Sequence, residues 1–261
     1  MTRAGRSARR RPCAKSHIAT CAFAHRVPPQ RPIITSTRWD CEAYYSPDGE
    51  RLVGNPRWSP DGEQVAFFAT PKGRAGVYVM DVEDGTPQPV QPADVQEPSA
   101  NYWVTSWSRD GERIYAASDR SGTWQLWTMR SDGSDPTQVT QNGGFAAYEP
   151  VTGDTLFYSK RSARGIWMRP TGGGSERRVI DDLALPDWGN WAVTGEGLYF
   201  VRRGGDGTTI AFHDFATGLN RTVASIPNIA SPSLEVSPDG QRLLYARIEQ
   251  SNSDLIATTI E

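Results

Sequence analysis

The chain has 261 residues, 37% of them hydrophobic, with 25 Gly, 19 Pro, nine Trp, nine Tyr and a formal net charge of −2. That length holds one large all-β domain or two small ones, and the Gly and Pro content argues against a mainly helical protein. The near-neutral balance hides an asymmetry: residues 1–31 carry eight basic residues and no acidic one, which leaves twenty basic against thirty acidic residues in 32–261. A nucleic-acid reader carries its positive charge on the folded face, so no nucleic-acid partner is expected for the folded part. No apolar run approaches the ~20 residues needed to span a bilayer, and "IATCAFAH" is too short and interrupted for a signal-peptide core.

The first 31 residues read as a basic, disordered tail, given Pro12, Pro28, Pro29 and the arginine run. Cys13, His17, Cys21 and His25 fall four apart and would share one face of a helix. Neighbouring members could chelate zinc, but the outer two would lie ~18 Å apart along the axis, too far for one ion. No metal site and no cofactor are therefore expected. The third cysteine, Cys41, stands alone in residues 32–261, so there is no disulfide framework.

From residue 32 onward the chain repeats. After "PIITS" (32–36) comes "YYSPDGERLVGNPRWSPDGEQVAF" (44–67), which contains Ser-Pro-Asp-Gly twice. Pro presets φ, Asp can bond its own backbone and Gly accepts φ > 0, so each copy is a turn that opens a strand pair. Aligning the apolar residue after each turn gives Val65, Ile114, Leu156, Leu198 and Leu243, at intervals of 49, 42, 42 and 45. A second column follows each anchor: Val77, Leu126, Ile166, Ile210 and Leu255. A third surrounds Val90, Val139, Val179 and Val223, and a fourth precedes each turn at "PRW", "TSW", "GNW" and "SLEV". Four strands per unit at a period of 40–45 residues are the mark of propeller blades. One such sheet cannot cover both of its apolar faces, so blades stack around an axis.

Only thirteen residues separate Leu52 from Val65, too few for a blade, so the first Ser-Pro-Asp-Gly belongs to a truncated one. The last repeat supplies three strands and "PIITS" matches the missing fourth. Ile33 and Ile34 are expected to pair beside residues 253–259 and clasp the ends of the ring, removing two open sheet edges.

"PRWSPDGEQVAFFATPKGRAGVYVMDVEDGTPQPV" and "PSLEVSPDGQRLLYARIEQSNSDLIATTIE" resemble the WD40-like repeat of TolB-type propellers, also found in the N-terminal domains of prolyl oligopeptidase-like peptidases. "SWSRDGERIYAASDRSGTWQLWTM", "TQVTQNGGFAAYEP" and "WGNWAV" look more specifically like the terminal propeller of CadC-type winged-helix regulators. The resemblance implies a six-bladed plan and a periplasmic or extracytoplasmic location. It also implies a parent protein in which the propeller follows a regulatory or kinase domain. The predicted architecture is thus all-β: a tail over 1–31 and a TolB-like β-propeller over 32–261, with five complete blades and a truncated one.

Trp58, Trp107 and Trp191 share one repeat column, and Trp127 and Trp167 another, which marks them as packing residues. Trp39, Trp103, Trp124 and Trp188 fall outside the columns. "SDRSGTW" (118–124) partly resembles the Asp box of sialidases, although Asp119 could equally bond the amides of its own turn. No Gly-x-Ser-x-Gly elbow is present. His213, the sole histidine in the repeats, reads as structural. "DVEDG" (81–85) and "TGGGSE" (171–176) read as turns, without calcium-loop or phosphate-loop spacing. The expectation is a monomeric, non-enzymatic interaction or sensing module that binds a protein or peptide partner with Tyr102, Trp103, Asp119, Arg120 and Trp188. The alternatives are a sialidase-like glycoside hydrolase, which calls for carboxylates and an arginine converging in the central pocket, and a truncated product without stable function.

Overall fold

A computed structural model describes residues 31–36, 43–45, 52–54, 57–69, 75–83, 85–90, 100–205, 207–229, 232–249 and 252–259. The Cys13, His17, Cys21 and His25 quartet, Cys41 and Trp39 lie outside them. The sequence begins with β1 (Arg31–Ser36), β2 (Ala43–Tyr45) and β3 (Leu52–Gly54). Five four-stranded antiparallel sheets account for the rest. Blade I comprises β4 (Arg57–Trp58), β5 (Gln64–Ala69), β6 (Gly76–Asp81) and β7 (Pro87–Val90). Blade II comprises β8 (Tyr102–Trp107), β9 (Arg113–Ser118), β10 (Gln125–Arg130) and β11 (Thr137–Gln138). Blade III comprises β12 (Ala147–Tyr148), β13 (Thr155–Ser159), β14 (Ile166–Pro170) and β15 (Arg177–Ile180). Blade IV comprises β16 (Trp191–Val193), β17 (Gly197–Gly204), β18 (Gly207–Asp214) and β19 (Asn220–Ser225). Blade V comprises β20 (Glu235–Val236), β21 (Arg242–Glu249) and β22 (Asn252–Thr259), and it is completed by β1.

The clasp forms through Ile34 as expected, but Ile33 falls in a register irregularity and has no partner in the ladder. Arg31 pairs with Ala257 and Ile34 with Leu255, and the register shifts between Pro32 and Ile34. Proline cannot donate to a ladder, which suits it to this edge strand. The truncated blade is the β2–β3 hairpin, with Tyr45 opposite Leu52. Strand β2 lies against both β20 and β4, so the hairpin occupies the sector between blades V and I.

The repeat register is uniform. The five second-column residues each pair with the residue three places after their anchor: Val77 with Phe68, Leu126 with Ala117, Ile166 with Ser159, Ile210 with Val201 and Leu255 with Ala246. All five anchors are buried. Strand alternation sends neighbouring residues to opposite blades. Leu198 and Phe200 pack with Phe157 and Ile166 of blade III, whereas Tyr199 and Val201 pack with Leu243 and Tyr245 of blade V. The same arrangement joins blades I and II around Ile114 and blades II and III around Leu156.

The Ser-x-Asp-Gly turns share one network. Ser108 Oγ donates to Asp110 Oδ1 (2.5 Å), Asp110 Oδ1 accepts the Glu112 amide (3.0 Å), and Ser108 Oγ accepts the Arg113 amide (2.9 Å). Ser59 with Asp61 and Ser237 with Asp239 repeat it. The three glycines sit at φ 76°, 74° and 70°, where a Cβ is strained. "VTGEG" makes a tighter turn, with Val193 opposite Leu198. This corrects the column of Trp58, Trp107 and Trp191. Trp58 and Trp107 face the anchors Val65 and Ile114, but Trp191 faces Phe200, two residues beyond its anchor, and Val193 holds the equivalent place.

Candidate functional site

Within each blade the first strand runs innermost, and its end and the following turn surround the axis. Five such ends enclose a cavity of about 500 Å³. Its wall alternates because strands alternate. One column is Arg57, Ser106, Tyr148, Ala192 and Glu235; exposed Pro60, Arg109, Val151, Gly195 and Pro238 ring the mouth.

Charge gathers on the wall. Arg57 Nη1 donates to Glu235 Oε2 at 3.1 Å, and both side chains are mostly buried. The Arg57 guanidinium also lies 4.1 Å from the centre of the Tyr148 ring, a cation–π contact. The Arg57 carbonyl accepts Trp107 Nε1–H at 3.0 Å, which ties blade I to blade II. Burial pushes the Glu235 carboxyl above its ordinary range, against the pull of Arg57. Glu149 accepts the Tyr115 hydroxyl (2.5 Å) on one oxygen and the Arg109 amide (3.0 Å) on the other. Burial, and then the bond to Glu149, drive the Tyr115 phenol far above its ordinary value, so it remains a donor. Two carboxylates and two arginines thus converge at the axis, as the glycosidase alternative calls for. Both Glu149 oxygens and one Glu235 oxygen are already engaged with neighbouring blades, which casts these groups as fixed recognition charges.

Topology puts the five sequence-predicted contact residues at the opposite rim, where second strands turn into third strands and blades connect. Tyr102 is buried in the cluster between blades I and II. Trp103, 37% exposed, stacks on Phe68 with ring centres 5.0 Å apart. Asp119 does not bond its own turn amides as expected. It reaches the preceding connection, accepting Asn101 N–H at 2.8 Å and Asn101 Nδ2–H at 3.0 Å. Arg120 lies over Trp127, 4.3 Å from the ring centre. Trp188 meets Phe145 edge-on at 4.7 Å, and Phe145 meets Trp124 in the same way at 5.4 Å. The structure therefore brings Tyr102, Trp103, Asp119 and Arg120 together on blade II, with Trp188 farther round on the blade III–IV connection.

Sequence reading missed the axial residues. The available signal was negative: Arg57, Ser106, Tyr148, Ala192 and Glu235 occupy one strand position but share no residue type. Among the described residues no three His, Cys, Asp or Glu side chains come together as a metal site, and no helix is long and apolar enough to cross a membrane.

The molecule is thus a β-propeller. Residues 45–166 match the model of the TolB beta propeller domain family. The structure superposes on TolB from Acinetobacter baumannii with a TM-score of 0.64 at 18% identity, covering 88% of this chain and 62% of that one. The fold is that of a TolB-like β-propeller. The finer likeness to CadC-type regulators draws no support from these matches.

Among sequence relatives, an uncharacterised peptidase of Bacillus subtilis, YuxL, is 31% identical over 121 residues, 45% of this chain and 16% of that protein. Dipeptidyl-peptidase 5 of Porphyromonas endodontalis is 23% identical over 226 residues, 79% of this chain and 31% of that protein. The chain spans about half the length, or less, of these and a further curated relative. The peptidase names overturn the expectation of a non-enzymatic chain. The physical reason lies in the motif used: a nucleophile elbow sits on a strand-to-helix turn, which no blade contains, so its absence from blades carries no weight about catalysis.

Proposed function

We propose that this chain is a polypeptide-recognising propeller of the peptidase-like kind, taking an extended segment of a protein or peptide at the axial cavity. One observation carries the reading. Around a ring whose packing positions repeat, the axial positions do not, and they gather Arg57, Tyr148, Glu149 and Glu235 on one wall. Fixed charges of both signs beside an aromatic face suit a ligand with amide dipoles and charged ends. The cavity volume falls within the ~300–1,000 Å³ of ordinary ligand sites, and peptidase names among the relatives support the same class of ligand. Trp103, the exposed member of the opposite-rim set, is proposed as a second contact point, with Tyr102, Asp119, Arg120 and Trp188 holding the loops around it.

The test uses fluorescently labelled tryptic peptides of casein and reads polarisation. Val151, 80% exposed at the mouth, is replaced by tryptophan to obstruct entry without touching the core. The expected result is saturable binding, weakened about tenfold or more by Val151→Trp, with an unchanged melting curve. Failure of the wild-type protein to bind, or equal binding by the variant, would overturn the reading.

A further inference from the structure

A second cavity, of about 490 Å³, lies between blades III and IV on the same rim as the axial mouth. We propose that it binds a small organic anion that joins a carboxylate to an aromatic body. The pairing register builds its floor. Phe157, Met168 and Arg177 pair in sequence across β13, β14 and β15 and so form one lateral row on one face of blade III. Met168 of that face packs toward the blade III–IV core, and its pairing with Arg177 puts the arginine on the same side. From blade IV, His213 pairs with Leu198, which faces blade III, so His213 looks into the same gap. Phe215 closes it, stacking on Phe157 with ring centres 5.1 Å apart and planes 10° apart.

The electrostatics select the ligand's sign. Arg177, Arg178 and His213 line the cavity and no carboxylate does, although residues 32–261 carry an excess of acid. Arg178 is engaged with Asp181 at 2.5 Å. Arg177 has no ion-pair partner among the described residues. His213 Nδ1–H donates to Asn220 Oδ1 at 2.7 Å, which fixes the orientation of the ring in the cavity wall. A planar guanidinium fork suits a carboxylate, and the stacked Phe157–Phe215 pair beside Met168 suits a flat apolar body.

The probes are phenylacetate, uncharged phenylacetamide and acetate, titrated at up to millimolar concentration against the full chain and followed by protein amide NMR shifts. Phenylacetate should bind roughly tenfold or more tightly than either fragment, with shifts centred on Thr155, Met168 and Phe215. Arg177→Glu should abolish the binding and Arg177→Lys weaken it. Arg164→Glu, an equal charge change on an exposed residue of the blade III hairpin at the opposite rim, should leave it intact. Pro60→Trp, on the blade I side of the axial mouth and away from the residues that line the second cavity, should also leave it intact, so this result is separable from the peptide reading. Absence of phenylacetate binding to the wild-type chain, or binding indifferent to Arg177→Glu, overturns the proposal.

Discussion

The gaps between blades and the axis of the ring are built from the same strands but follow different rules. Between blades, positions repeat: Val65, Ile114, Leu156, Leu198 and Leu243 are all small-to-medium apolar residues and all buried. At the axis, positions diverge, and Arg57 stands where other blades carry Ser106, Tyr148, Ala192 and Glu235. Between adjoining complete blades each face meets an equivalent face under equivalent constraints, so one solution serves each of those gaps. The axis is shared by all blades at once, so each contributes a different piece of a single surface. Repetition therefore marks scaffold and departure from repetition marks the candidate site.

The sharpest break of this comparison is Leu156→Ala. Leu156 is fully buried between blades II and III, and truncation should cost about 3 kcal/mol through lost burial and a residual cavity, read as a lower denaturation midpoint. The melt should remain cooperative in both proteins; a non-cooperative wild-type melt would instead favour the truncated-product alternative.

At the axis the expected effects are smaller and lopsided. Arg57→Ala leaves Glu235 mostly buried without its counter-charge and should cost about 2 kcal/mol. Glu235→Gln should cost less, about 1 kcal/mol, because the amide oxygen still accepts from Arg57 while the charge that burial penalises is gone. The pH dependence carries the same sign. A carboxyl whose folded pKa is raised contributes most to stability at low pH, and that contribution is lost as pH rises from its ordinary value through the raised one. Glu235→Gln should remove this component from a stability–pH profile.

The repeated turns behave oppositely. Asp61, Asp110 and Asp239 are held below their ordinary pKa, first by the serine hydroxyl and then by a turn amide. Their contribution is present above the ordinary carboxylate range and is lost as pH falls through the lowered values. Asp110→Ala should cost about 1 kcal/mol at pH 7, with the difference from wild type shrinking in acid. The smallest effect belongs to the mouth, where breaking the exposed Arg109–Asp154 pair by Asp154→Ala should cost roughly 0.5 kcal/mol or less.

Much of the fold was legible because local rules and the repeat agree. The turn chemistry of Ser-Pro-Asp-Gly, the alternation of each strand and the period fixed which residues pair, down to the clasp of Ile34 on Leu255. The misplacement of Trp191 shows the limit: spacing to the anchor is the same seven residues in "NWAVTGEGL" as in "RWSPDGEQV", but the tighter turn moves the pairing by two. Asp119 shows another, because its partner Asn101 lies eighteen residues away and belongs to a connection without a repeat signature.

The blades follow from local information, since periodicity and turn residues act over a few neighbours and need no knowledge of distant chain. The cavities follow from long-range folding. Arg57 and Glu235 are 178 positions apart, and Arg177 and His213 lie on different sheets. Each pair meets because closing a ring brings unrelated positions to a common centre or a common gap, and no local rule encodes that meeting.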